Sequence, residues 1–174
     1  MKQSRPPRFD ALVLPHLDAA HNLARWLVGN RQDAEDAVQD SFVRALAYFD
    51  SFHGEDGRAW LLAIVRNACF ERLRRSRQQV EFACDDLDLA RDGNLNPEAL
   101  QLQSADRKLV WRSLELLPPE YREVLVLREM EGMSYKQIAR ITDVPIGTVM
   151  SRLARARRRL QETLAPATRK EEPA

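Results

Sequence analysis

Glycine, cysteine, histidine and long apolar runs are all sparse in this chain. Its 174 residues include six glycines, two cysteines and three histidines, and the formal net charge is only +1. Few glycines and no alternating β-branched runs argue against a sheet, whose strands and hairpin turns depend on both. The expected fold class is therefore all-α. Cys69 and Cys84 have no second sulfur or histidine at metal-ligand spacing, which removes a zinc site, and nothing implies a disulfide framework. His16 and His21 share a helix but face apart, and His53 falls in a loop. None has an acid or nucleophile partner in sequence, and no phosphate-binding loop is present. Catalysis, a metal and a cofactor are thus not expected. No apolar run is long enough to cross a bilayer, and MKQSRPPRFD at the N-terminus has no secretory core. No membrane insertion and a cytoplasmic location are the expectations.

What is present is charge, unevenly spread. The segment Glu81–Glu98 is acidic (Glu81, Asp85, Asp86, Asp88, Asp92 and Glu98 against Arg91), whereas Arg66–Arg77 and Arg152–Arg159 are basic. Two basic stretches suggest two separate polyanion-facing surfaces. Helical periodicity runs from near Phe9 to Leu27, from Asp33 to Phe49 and from Arg58 to Arg75. It resumes over Pro97–Leu116, Pro119–Glu131, Ser134–Thr142 and Ile146–Leu164. Two small helical domains follow, at 1–78 and 97–166, joined by an acidic linker at 79–96 and followed by a disordered tail at 167–174.

The second domain carries the sharper pattern. Ser134 with Gln137 three residues on forms a capping box at a helix start. That helix is short, and Asp143-Val144-Pro145 forces a turn into a longer basic helix, the order of a helix-turn-helix. On the longer helix, Val149, Leu153, Ala156 and Leu160 make one narrow apolar stripe. Ser151, Ala154, Arg155 and Arg158 lie opposite, with Arg152, Arg157 and Arg159 at the boundary. Small outward residues let a helix sink into a groove, Arg155 can reach a guanine edge, and the flanking arginines suit phosphates. A basic run alone is more often a solvated face. Cap, turn and amphipathic split together favour DNA.

In the first domain, Asp33–Leu46 splits into a packing face (Ala34, Val38, Phe42, Ala45) and an acidic face (Asp33, Asp36, Gln39, Asp40, Val43). An acidic face with one apolar residue suits docking on a basic partner helix. In Arg58–Arg75, Leu62, Val65, Cys69 and Leu73 share one side; Trp60, Asn67 and Arg74 lie on the other, with Phe70 beside them. Rings stack on unpaired bases, an amide reads an edge and arginines hold a backbone.

Leu117–Leu160 closely resembles region 4 of bacterial sigma factors of the extracytoplasmic-function type. The markers are Leu117-Pro118, Tyr121-Arg122, Gly132–Ser134, Ile138-Ala139, Gly147-Thr148-Val149, Ser151-Arg152 and Arg155-Ala156-Arg157. Met150 departs from the pattern, since many relatives carry Lys or Arg there. Asp33–Leu46 resembles region 2.2. The motif Trp60, Leu61, Ile64, Arg66, Asn67 resembles regions 2.3 and 2.4. The resemblance implies a promoter −35 contact by Lys136, Thr148, Met150, Ser151, Arg152, Ala154, Arg155, Arg158 and Arg159. It implies a −10 contact by Trp60, Arg66, Asn67, Arg72, Arg74 and Arg75, with the loop His53–Arg58 handling an extruded base. The acidic face would meet core RNA polymerase, and an anti-sigma factor is a further expected partner. Two other functions also fit the pattern: a stand-alone helix-turn-helix regulator dimerising through the first domain, and a polymerase-binding protein that reads no promoter.

Overall fold

In a computed structural model of the chain, residues 7–83 and 105–168 are described, and all their regular structure is helical. The elements are α1 (Pro7–Val13), α2 (Leu17–Val28), α3 (Arg31–Tyr48), α4 (Gly57–Ala83), α5 (Ala105–Glu115), α6 (Pro119–Leu125), α7 (Tyr135–Thr142) and α8 (Ile146–Thr168). Helices α1 to α4 pack as one domain and α5 to α8 as another.

The first domain closes around apolar side chains drawn from each helix. Phe9, Val13, Leu23, Leu27, Leu62 and Val65 are buried to 1% exposure or less. The Phe9 ring meets Phe42 and Phe49 edge-on, each at 5.2 Å between centroids, the arrangement that ring quadrupoles favour. The long first helix expected from periodicity is instead broken. Pro15 lacks a backbone N–H to continue the ladder, so Leu14–His16 tightens into a 3₁₀ turn between α1 and α2. Asn30 caps α3 by accepting from the Asp33 amide at 2.8 Å. Gly57 opens α4 where a Cβ would meet the Leu12 carbonyl oxygen at 2.8 Å, so only glycine lets α4 start this close to α1.

Helix α4 runs eight residues past Arg75, to Ala83. Residues 79–83, read from sequence as the start of the linker, therefore continue the helix. At the other end, α8 reaches Thr168, two residues into the segment read as tail. The remaining linker residues, with Cys84 and the helix start at Pro97, lie outside the described residues.

In the second domain, Leu114, Val124, Leu127, Ile138, Val149 and Leu153 form the buried centre. Helix α6 widens at its end into a π-helical turn, Val126–Met130, where the Glu131 amide reaches back to the Val126 carbonyl. Gly132 then takes φ +64, a left-handed conformation that costs glycine little, and turns the chain into α7. The two domains also touch. Trp26 of α2 stacks on Trp111 of α5 at 3.7 Å between centroids and 16° between planes.

Candidate nucleic-acid interface

The turn between α7 and α8 forms for local reasons. The Ser134 hydroxyl accepts from the Gln137 amide at 3.2 Å, and the Gln137 side chain accepts from the Ser134 amide at 2.9 Å. Two orphan donors at the start of α7 are thereby satisfied. At its other end Asp143 adopts a left-handed φ of 55°, tolerated because a short polar side chain suits that region. The Pro145 carbonyl then accepts from the Thr148 and Val149 amides at 2.9 and 3.1 Å and starts α8.

The amphipathic split of α8 is present in three dimensions. Val149, Leu153 and Ala156 are buried and Leu160 is half-buried, while Met150, Ser151, Ala154, Arg155, Arg158 and Arg159 are exposed. Lys136 on α7 is exposed as well, and Thr148 is half-buried. The arginines differ in what they touch. Arg157 pairs with Glu129 at 2.6 Å, a hydrogen bond that raises its pKa above the ordinary arginine value. Arg158 pairs with Glu162 at 3.2 Å, and the Arg159 guanidinium sits 4.9 Å from the Tyr121 ring centroid. Arg155 makes no ion pair with the described residues. Arg152 is turned inward, 3.6 Å from Glu123.

On α4, Asn67, Arg74 and Arg75 are exposed. Trp60 is half-buried, its ring stacked on Phe52 at 4.6 Å, so one of its faces is already covered. The Arg66 guanidinium lies 4.0 Å from the Phe70 ring centroid and bridges both oxygens of Glu123, at 2.8 and 3.2 Å. Arg72 donates to Asp40 at 2.7 Å, which joins α4 to α3. Cys69 is buried and its pKa is pushed up to about 12 by that burial, so the thiol is held neutral and unreactive.

The expected acidic face of α3 is in place. Ala34, Ala37, Val38, Ser41 and Ala45 are buried, Asp33 and Asp36 are half-buried, and Gln39, Asp40 and Val43 are exposed, Val43 to 63%. Arg44 ties this helix to α4 through Glu71 at 2.9 Å, and that hydrogen bond holds the Glu71 carboxyl below its ordinary range.

Residues 12–79 match the family described as Sigma-70 region 2, and residues 107–160 match Sigma-70, region 4. The ECF RNA polymerase sigma-E factor of Salmonella typhimurium is 37% identical over 147 residues, covering 79% of this chain and 77% of that protein. The chain belongs to the ECF sigma factors of the sigma-70 family. The ECF RNA polymerase sigma factor SigE of Mycolicibacterium smegmatis is 35% identical over 94% of the chain, which spans only 64% of that relative's length. In architecture the chain resembles the sigma factor RpoE of Bartonella quintana, solved in complex with the anti-sigma factor NepR. The TM-score is 0.74 at 32% identity, over 92% of this chain and 98% of that one. CnrH, solved with the cytosolic domain of CnrY, gives a TM-score of 0.64 at 28% identity.

The first domain is thus region 2 and the second region 4, which places the expected −10 residues on α4 and the expected −35 residues on α7 and α8. Sequence reasoning missed the residues that join the two regions: Trp26, Trp111, Arg122, Glu123 and Glu131. One signal was available. Glu123 opens the apolar run Val124–Leu127, and a carboxylate in such a run needs a buried partner. Burial pushes the Glu123 pKa up, and the Arg66 hydrogen bonds with the charges of Arg66 and Arg152 pull it partly back. Among the described residues no cluster of metal-ligating side chains occurs, and no helix is long and apolar enough to cross a membrane.

Proposed function

We propose that the chain is an alternative sigma factor which binds core RNA polymerase and directs promoter-specific transcription initiation from the cytoplasm, leaving the chemistry to the polymerase. Region 4 lays α8 in the major groove of the −35 element. Arg155 reads a base edge there, Met150, Ser151 and Ala154 allow close approach, and Lys136, Arg158 and Arg159 meet phosphates. Region 2 holds the opened −10 strand with Asn67, Arg74 and Arg75, and with Trp60, Arg66 and Arg72 once these leave their present partners. The exposed side of α3, with Asp33, Asp36, Gln39, Asp40 and Val43, docks on the polymerase. The observation that carries this reading is α8 itself: a capped turn presents a helix with a buried apolar seam and an outer face of small residues and arginines. An anti-sigma factor is a further partner, by similarity to RpoE of Bartonella quintana, solved with one.

Run-off transcription with core polymerase on a library of genomic promoter fragments tests the reading. Starts should cluster downstream of one pair of motifs and vanish without the chain. Binding of duplex DNA with no dependence on core would instead favour a stand-alone regulator, and core binding without any start would favour a sequestering protein.

A further inference from the structure

The first two turns of α8 present an outer surface unlike that of the rest of the helix. Their exposed positions are Ile146, Gly147, Met150 and Ser151. Ile146 and Met150, one turn apart on the same flank, are 44% and 52% exposed. The Ser151 hydroxyl donates to the Thr148 carbonyl at 3.0 Å, so it turns lone pairs outward and not its hydrogen. The exposed arginines of α8 begin only at Arg155. Arg157, which the helical period places on the Met150 flank, is held by Glu129 at 2.6 Å. This end of the outer face therefore has no exposed side chain that donates to a base.

Gly147 adds a second observation. A Cβ there would meet nothing within 4 Å, and the residue does not take a positive φ. Neither the packing of the chain nor its backbone conformation calls for glycine, which a helix tolerates poorly. A bare backbone beside Ile146 and Met150 lets an outside surface approach α8 closely. In a helix-turn-helix, the N-terminal residues of the second helix are the ones that meet base edges.

The chemistry of this surface discriminates among bases. Guanine shows two acceptors in the major groove and needs a donor, whereas thymine shows a C5 methyl, the only methyl in unmodified DNA. A methionine side chain is unbranched and polarizable, and it fits itself to an irregular apolar neighbour. We propose that Met150, with Ile146 beside it, is a specificity-determining residue of region 4. It packs on the C5 methyl of one thymine in the −35 duplex and selects a T·A pair there. Ser151 is placed to accept from an adenine or cytosine amino group nearby. The proposal rests on the reading of α8 as the major-groove helix and deepens it by naming the base.

The test uses the full-length chain assembled with core polymerase. Promoter duplexes randomised over the upstream element are selected by binding and sequenced. Each thymine of the selected element is then replaced in turn by uracil, which keeps the pairing and the O4 acceptor but lacks the methyl. At one thymine, uracil should weaken closed-complex binding about three- to fivefold, the effect of one buried methyl. Met150→Ala should bind the thymine and uracil duplexes equally at that position alone, whereas Met150→Leu, as apolar as methionine, should retain the distinction. Arg155→Ala should weaken both duplexes and keep the penalty. A selected element without thymine, no penalty at any thymine, or a penalty that survives Met150→Ala would overturn the methyl contact and leave the promoter reading standing. Loss of the penalty at several thymines together in Met150→Ala would mean that the residue only supports the helix, and would also overturn it. Selection that enriches no upstream sequence would overturn the promoter reading and the contact with it.

Discussion

Replacing Arg122 with methionine should destabilise the chain by about 3 kcal/mol, although Arg122 touches no proposed DNA or polymerase contact. The residue is 9% exposed, and its guanidinium serves four backbone carbonyls. Nε donates to Leu114 at 3.0 Å, Nη1 to Trp26 at 2.7 Å, and Nη2 to Glu115 and Leu117 at 2.7 and 2.8 Å. Three of these close the end of α5 and one reaches across to the end of α2, beside the Trp26–Trp111 stack. Methionine keeps most of the stem's packing and removes every donor. The Leu114 carbonyl retains the Leu117 amide at 3.1 Å, which leaves three carbonyls to be rescued. At about 1 kcal/mol or more each, less the desolvation that arginine no longer suffers, the net is about 3 kcal/mol. For a chain of this size that corresponds to roughly 6–12 °C in Tm. Arg122→Lys should recover less than half, because an ammonium cannot reproduce a planar fork. Urea unfolding followed by far-UV circular dichroism gives the free energy, and the near-UV spectrum reports the tryptophan pair. A loss below about 1 kcal/mol for Arg122→Met would refute the account of this residue as the shared cap of two helices.

Other expectations concern the proposed contacts. Asp36→Arg with Asp40→Arg should abolish co-purification with core polymerase while the helical spectrum is retained; Asp40 leaves only an exposed pair with Arg72, worth little. Unchanged co-purification would remove α3 from the interface. Arg155→Ala should lose about 1–3 kcal/mol on the cognate −35 duplex and relax preference at one position. Arg159→Ala should weaken all duplexes alike and lower the salt slope by about one; identical losses from both in a salt series would reduce α8 to an electrostatic anchor. Asn67→Ala should slow promoter opening more than closed-complex binding, and a pre-melted template should restore it in permanganate footprinting. Absence of rescue would assign Asn67 a different role.

Much of this architecture follows from short-range pattern. The helical class, the capping box at Ser134 and Gln137, the turn at Asp143–Pro145 and the seam Val149, Leu153, Ala156 depend on residues three or four apart. Backbone propensity and the 3.6-residue period fix such features before any tertiary contact exists. The helix ends were less determined. Pro15 interrupts the first periodic run, and α4 continues through residues whose polar faces carry no periodic apolar signal. The contacts between regions lay beyond sequence altogether. Arg66 and Glu123 are 57 residues apart, Asn22 and Glu131 109 apart. Before folding, each of these polar side chains is as well solvated as any other, and its pattern resembles that of a wet helix face. Packing α2 and α4 against α6 and α7 withdraws water from both sides at once, and a carboxylate there persists only beside the arginine that faces it. Which arginine that is, one on its own region or one across the interface, was decided by the tertiary structure.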